Sequence, residues 1–377
     1  MSFNFKKKVN FVAREMQHKE FMYHLRVMYH IRAINTKLYR MKGINLWVVT
    51  LIAGMAMSAC GDGNESKSAE QSEESEIVQI NARISAEPEN AEALIARANY
   101  HYSNQNYTDA TFDVAAAMKL DSINEEYHHL LADIYMDSYK SQLALRTLER
   151  AVRLFPESIE TNLKIAELQI VLRQYAQASA SLRNVMEISP QNIDALQLLG
   201  ILFKEQGDIE QARQSFQRVV DLDGDNHEAW TMLGNLMDIQ GDPLALQCFE
   251  NAIDIDSTYA QGWHSKAFYL QNHGDVEQAI EIYHKIQRMD SSYTDAYLNA
   301  GILYLDLSEF GSAEQEFLNL SKLAPRNPLG PYYLGVSYEE RGDYQTALGY
   351  FNQAAAIAPR SAQFAEAVIR MRAELNK

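Results

Sequence analysis

The sequence predicts an all-α fold, an α-solenoid of stacked helix pairs. Three observations predict it: a fixed 34-residue period, small residues recurring in phase within helical patterns, and Gly or Pro punctuation between those patterns. The first small residue of each unit is Ala98, Ala132, Ala166, Gly200, Gly234, Ala267, Gly301 or Gly335, always 34 residues apart except for one step of 33. Twelve residues on stands a second small residue, Ala110, Ala144, Ala178, Ala212, Ala279, Ala313 or Ala347. In the remaining unit Ala245 follows Gly234 by eleven, so its missing residue falls near Asp242-Pro243. Four residues further lies a large apolar side chain: Leu148, Leu182, Phe216, Phe249, Tyr283, Phe317 and Phe351.

This pattern reads as two helices in close contact. Small residues let the helix axes approach, and large ones fill the space beside the contact. Gly207-Asp208, Gly274-Asp275 and Gly342-Asp343 punctuate the middle of their units, and Pro156, Pro190, Pro325 and Pro359 close four of them. One such pair cannot bury its own apolar face, so neighbouring pairs must stack. Eight units are expected over 91–361, beginning at 91, 125, 159, 193, 227, 260, 294 and 328. Residues 77–90 read as the second half of an incomplete leading unit, and 361–377 as a polar-faced capping helix.

These residues resemble the tetratricopeptide repeat (TPR), best in Trp230-Thr231-Met232-Leu233-Gly234 and Leu334-Gly335-Val336-Ser337-Tyr338. The first three units diverge most, with Ala in place of Gly and no Trp. The resemblance implies a right-handed superhelix over 77–377 whose first helices line a concave groove. Projecting that groove onto the last three units selects His264, Phe268 and Gln271, then Leu298, Ile302 and Leu305, then Tyr332, Val336 and Glu339. Most are apolar, which suits an amphipathic helix or an extended peptide. Units four and five offer Asp194, Gln197, Lys204, Glu228, Asn235 and Asp238 at matching positions, a polar and acidic stretch. TPR domains that grip a chaperone's C-terminal carboxylate need Lys, Asn and Arg at set positions. Here only Asn99 fits, with Ile95 where Lys is required, so that activity is not expected.

Ahead of the array the chain reads as an address. Met41 to Cys60 is a lysine followed by the apolar run 44–56, ending in Ser58-Ala59-Cys60. This is the grammar of a secretory signal over 41–59, and it is shorter than the roughly 20 residues a spanning helix needs. Met57-Ser58-Ala59-Cys60 resembles a bacterial lipobox, with Met57 where Leu is usual. The resemblance implies lipidation of Cys60, and acyl chains anchor durably at about 0.8 kcal/mol per buried methylene. Gly61 then favours the outer membrane, because the Asp of the inner-membrane sorting rule is absent. Residues 1–40 carry basic residues among Phe, Tyr and Met and lack signal grammar. Met41 is the expected start, with 1–40 an untranslated extension. Residues 61–76 hold six acidic residues and one Lys, so 60–76 is expected to be a disordered acidic tether.

Charge and motifs narrow the function. The net charge is −16, yet residues 1–59 carry ten Lys/Arg and two Glu, so the remainder carries −24. Such a body repels phosphate backbones, and nucleic acid is not an expected partner. Cys60 and Cys248 are the two cysteines, too far apart in sequence to suggest a disulfide framework or a Cys-based metal site. Asp221, Asp223 and Asp225 alternate like calcium ligands. An EF-hand, however, would need Gly and Glu where Asn226 and Met232 stand. His128 and His129 are adjacent and point to different helix faces, a poor metal pair. Trp230 and Trp263 hold the repeat's packing position, and Cys248 has no base nearby in sequence. With no phosphate loop or nucleophile motif, neither enzyme nor cofactor is expected.

The expected function is a lipid-anchored scaffold of the bacterial envelope that holds a protein or peptide partner. Lipidated TPR proteins similar to it include pilus-secretin assembly factors, regulators of cell-wall synthases and protease adaptors. The alternative is an accessory or carbohydrate-binding subunit of an uptake system, with Phe268 and Tyr332 stacking on glycan.

Overall fold

The computed structural model describes residues 65–377, and the side chains from Glu76 onward. The basic extension 1–40, the signal 41–59 and the lipidation site Cys60 lie outside the described residues. Eighteen helices and no strand occur among those described. They are α1 (Glu65–Ala86), α2 (Ala91–Ser103), α3 (Tyr107–Leu120), α4 (Glu125–Asp137), α5 (Ser141–Leu154), α6 (Ile159–Val171) and α7 (Tyr175–Ile188). There follow α8 (Ile193–Gln206), α9 (Ile209–Leu222), α10 (His227–Ile239), α11 (Ala245–Ile255), α12 (Ala260–His273) and α13 (Val276–Met289). The last are α14 (Thr294–Asp306), α15 (Phe310–Leu323), α16 (Leu329–Glu340), α17 (Tyr344–Ile357) and α18 (Ala362–Leu375). The first helix of each unit starts at the expected residue or one beyond it.

Local chemistry sets these boundaries. Asn90, Asn124, Ser158, Asn192 and Asn226 each cap a first helix, the side-chain oxygen accepting from the backbone N–H three residues on. Asn106, Asp208, Asp275 and Asp343 cap second helices in the same way. The turn inside every unit contains one left-handed residue. Four are glycines, Gly207, Gly241, Gly274 and Gly342, and four are not: Gln105, Tyr139, Arg173 and Ser308. The four glycine turns are those in which the sequence reads Gly-Asp. In the others the packing of the helix pair enforces a conformation that disfavours an L side chain. The shortened unit behaves as expected: its second helix, α11, has 11 residues where its counterparts have 14.

The described helices group into two compact units, one ending at Gln177 and the other beginning at Ala178, and the division falls within α7. In the first, α1 packs on α2, the pairs α2/α3 and α4/α5 form the repeats, and α4 also touches α6. Its cores gather Ala98, Ala110, Val114, Ala117 and Ile134, then Ala132, Ala144, Leu145 and Leu148. In the second, pairs α8/α9 to α16/α17 repeat one arrangement and α18 closes on α17. Phe216, Phe249, Tyr283, Phe317 and Phe351 are among its large buried rings. The cap α18 buries Phe364, Ala367, Val368 and Met371, and its exposed large apolar residues are Ile369 and Leu375.

Small and large residues are matched in most pairs, with Ala267 against Tyr283 the exception. A Cβ on Gly200, Gly234 or Gly335 would come within 2.5, 2.6 or 2.7 Å of the ring of Phe216, Phe249 or Phe351. In the first unit the corresponding partners are smaller, Ala98 with Val114 and Ala132 with Leu148. Substitution of Gly by Ala there is therefore a packing solution and not decay of the pattern.

One expectation needs correction. Residues 65–76 were assigned to a disordered tether, whereas α1 runs unbroken from Glu65 to Ala86. Glu, Lys, Gln and Ala have small helix penalties, so an acidic stretch extends a helix anchored further on by buried Ile80.

Candidate partner-binding surface

The first helices carry the candidate residues, and a recurrent hydrogen bond sets how each first helix leaves the preceding turn. Trp230 Nε1 donates to the Gly224 carbonyl at 2.8 Å, and Trp263 Nε1 to that of Ser257 at 2.9 Å. The same register recurs with other chemistry. Asn162 Nδ2 donates to Pro156 O at 3.0 Å, Tyr297 Oη to Ser291 O at 3.3 Å, and His128 Nε2 sits 3.3 Å from Ser122 O. Five of the eight units thus tie the fourth residue of their first helix to a carbonyl six residues upstream. The Trp residues were expected to pack; the hydrogen bond was not foreseen. A polar side chain at a constant phase of the repeat was the available signal.

The nine projected groove residues divide into three groups. Phe268, Ile302 and Leu305 on α12 and α14 are partly exposed apolar side chains. His264, Leu298 and Val336 are buried, at 9%, 2% and 7% exposure. These three do not present themselves to a partner. Adjacent first helices lie against one another, as α14 does on α16, and consume the part of the face nearest their contact. His264 shows how. Its Nε2 meets Asn299 Nδ2 at 2.9 Å, and its ring lies against Phe268, Tyr283 and Tyr293.

The polar and aromatic members are also engaged internally. Gln271 accepts from the Tyr283 hydroxyl at 2.8 Å. Tyr332 is partly exposed and packs on Tyr333, Phe351 and Phe364. Glu339 receives both Nε and Nη2 of Arg370 at 2.7 Å, so the cap reaches the groove positions of the last repeat. What remains is a polarised surface. Partly exposed Phe268, Ile302 and Leu305 stand in the same compact unit as the acidic positions Asp194, Glu228 and Asp238. Burial raises the pKa of Asp238, partly opposed by His273 at 3.7 Å. Burial lowers that of Lys204.

In the first unit the first helices are joined by charged and polar pairs. Lys164 Nζ donates to both Asp133 carboxylate oxygens at 3.0 and 3.1 Å, joining α4 and α6. Burial pushes the Asp133 carboxyl up, and the ammonium opposes that. Tyr102 Oη donates to Asp137 at 2.7 Å. This network was not foreseen, since its members pair across about 31 to 35 residues.

The other residues flagged in the sequence have structural surroundings. His129 meets Thr161 Oγ1 at 2.7 Å and Glu160 at 3.2 Å, while His128 turns to Ser122. Asp223 ends α9, its Oδ1 accepting from Asp225 N–H. Cys248 is buried with its Sγ 3.6 Å from Met237 Sδ, and burial, then Asp242, pushes its thiol up to about 11. Among the described residues no helix is long and apolar enough to cross a membrane.

Comparison with known proteins supports the repeat. A model of the TPR domain of cytochrome c-type biogenesis protein H matches residues 118–222. A tetratricopeptide repeat model matches 198–258, 266–328 and 298–362. The chain is similar to anaphase-promoting complex subunit 3 of Schizosaccharomyces pombe, at 23% identity over 117 residues, 31% of this chain and 18% of that one. It is similar to protein bimA of Emericella nidulans, at 28% over 83 residues, 22% of this chain and 10% of that one. The matched segments thus span under a fifth of these relatives' length. Among solved structures, the APC/C hetero-tetramer Cut9-Hcn1 superposes with a TM-score of 0.52 at 14% identity, covering 82% of this chain and 60% of that one. A tetratricopeptide repeat protein from Parabacteroides merdae gives 0.52 at 15%, covering 66% and 98%. At such identities the likeness is one of fold. The chain carries tetratricopeptide repeats and is all-α.

Proposed function

Taking the chain as a carrier of tetratricopeptide repeats, we propose that it is a non-catalytic scaffold which holds a protein or peptide partner. We place it in a bacterial envelope, anchored through lipid on Cys60 to the outer membrane. The observation that carries the binding role is the set Phe268, Ile302 and Leu305, partly exposed apolar side chains on two successive first helices. An amphipathic helix or extended segment can lay an apolar edge across such a surface. The membrane address rests on the apolar run 44–56 and the small residues before Cys60.

Two experiments test the parts separately. Growth of the native host with an alkyne fatty acid should label the full chain, and Cys60→Ser should abolish the label. An unlabelled wild-type chain removes the anchor. Crosslinking pulldown with the full chain should recover a partner that Phe268→Ser with Leu305→Ser loses. A control, Phe112→Ser on the exposed face of α3, should keep it. Retention of every partner by the double variant removes the surface.

A further inference from the structure

The first compact unit contains a second candidate site, away from the projected groove positions of the last three repeats. A pocket of about 190 Å³ opens between α3, α4 and α5. Met118, Leu131 and Leu143 supply apolar walls, and Arg146 and Arg150 stand one helical turn apart on α5. Neither guanidinium has a hydrogen bond or ion pair among the described residues, in a chain with 50 acidic side chains.

A third group lines the same pocket. His128 is fully buried, and its Nδ1 has no hydrogen-bond partner among the described residues. Its other nitrogen faces a carbonyl, that of Ser122, which can only accept, so Nε2 carries the proton. Nδ1 is then a buried lone pair facing no donor, a costly arrangement unless a ligand completes it. Burial, reinforced by Arg150 and His129, keeps the ring neutral by lowering its pKa, against the Ser122 bond. The groups bearing on it are the guanidiniums of Arg150 and Arg146 from α5 and the ring of His129 on its own helix, while α3 gives the pocket only Met118. Arriving negative charge reverses that balance. The ring can then take a second proton and donate it from Nδ1.

We propose that this pocket binds an acidic side chain of a partner peptide, its carboxylate between Arg146 and Arg150 and a neighbouring apolar residue against Leu131 and Leu143. Apolar walls favour a carboxylate on a hydrocarbon stem over a free inorganic anion, which would leave them wet. Planar guanidiniums suit the two oxygens of a carboxylate. The site is independent of the apolar first-helix surface and of the lipid anchor.

The test is calorimetric titration of the full chain with the acetylated peptide amide Leu-Glu-Phe-Glu, beside the same peptide with Gln for Glu, inorganic phosphate, and vesicles containing phosphatidylglycerol. The acidic peptide should bind and shift the His128 ring resonances. The Gln peptide should bind at least tenfold more weakly, and phosphate should not compete. Arg146→Gln with Arg150→Gln lies on an exposed face and changes helix propensity little. That variant should keep the helical circular dichroism and lose at least tenfold in affinity. Equal binding of the Gln peptide, unchanged binding by the double variant, or binding to vesicles alone would each overturn the proposal.

Discussion

The ring of Phe249 occupies the place where a side chain on Gly234 would begin, its Cε1 lying 2.6 Å from a Cβ built there. Both residues are buried where α10 crosses α11, so neither can yield without the other.

Gly234→Ala should therefore destabilise by about 1–3 kcal/mol, the usual range for overfilling a packed core. Adding Phe249→Leu should recover part of that loss, because Ala132 with Leu148 already forms such a pair in the first unit. Urea denaturation of the single and double variants measures it. Additive losses in the double variant would refute the pairing.

The left-handed turns make the opposite forecast. Ser308 has φ of 61° where other units place glycine. A left-handed L residue costs about 1–2 kcal/mol, and a glycine's extra unfolded freedom returns about 0.5–1. Ser308→Gly should accordingly stabilise by about 0.5–1 kcal/mol, and Gln105→Gly likewise, read as an increased urea midpoint. Gly274→Ala, at φ of 95°, should lower it.

Trp263→Phe keeps an aromatic ring and removes the donor to Ser257 O. About 1 kcal/mol should be lost, the net worth of one hydrogen bond. Amide exchange should accelerate in the turn 256–259 and not in the turn 290–293. Uniform exchange rates would show that the bond does not hold its turn.

Cys248 gives a pH dependence. Its thiol is pushed up to about 11 from an ordinary 9 by burial and then by Asp242. A raised pKa favours the folded state below the unfolded value and loses that contribution as pH climbs through the folded one. Wild-type stability should therefore fall more steeply than that of Cys248→Ala between pH 9 and 11. Alkylation at pH 8 should be slow in the native chain and fast in urea. Parallel pH profiles of the two proteins would contradict this.

Much of this architecture is legible in the sequence because a close helix crossing demands small residues at a constant phase. Ala98 through Gly335 accordingly locate every helix pair to within a residue. The exposed surface is harder to read. Ile302 and Val336 occupy equivalent groove phases of neighbouring repeats by projection, yet the second is closed off and the first is partly open. That difference depends on how adjacent first helices lean together, which a periodic pattern cannot encode. The Arg146, Arg150 and His128 cluster was invisible for a related reason, as its members meet only once α4 and α5 are packed. Acidic residues 65–76 misled because composition alone does not separate a tether from the solvated start of a helix.

The matching of glycine with phenylalanine in some pairs, and of alanine with leucine or valine in others, has a consequence for how such a chain can change. A point substitution on either side of a crossing meets a mismatched neighbour, while a duplicated or exchanged helix pair arrives with its complement already inside. Inheritance by whole repeats is then the permissive route, and single-residue drift at these crossings must proceed in coupled steps.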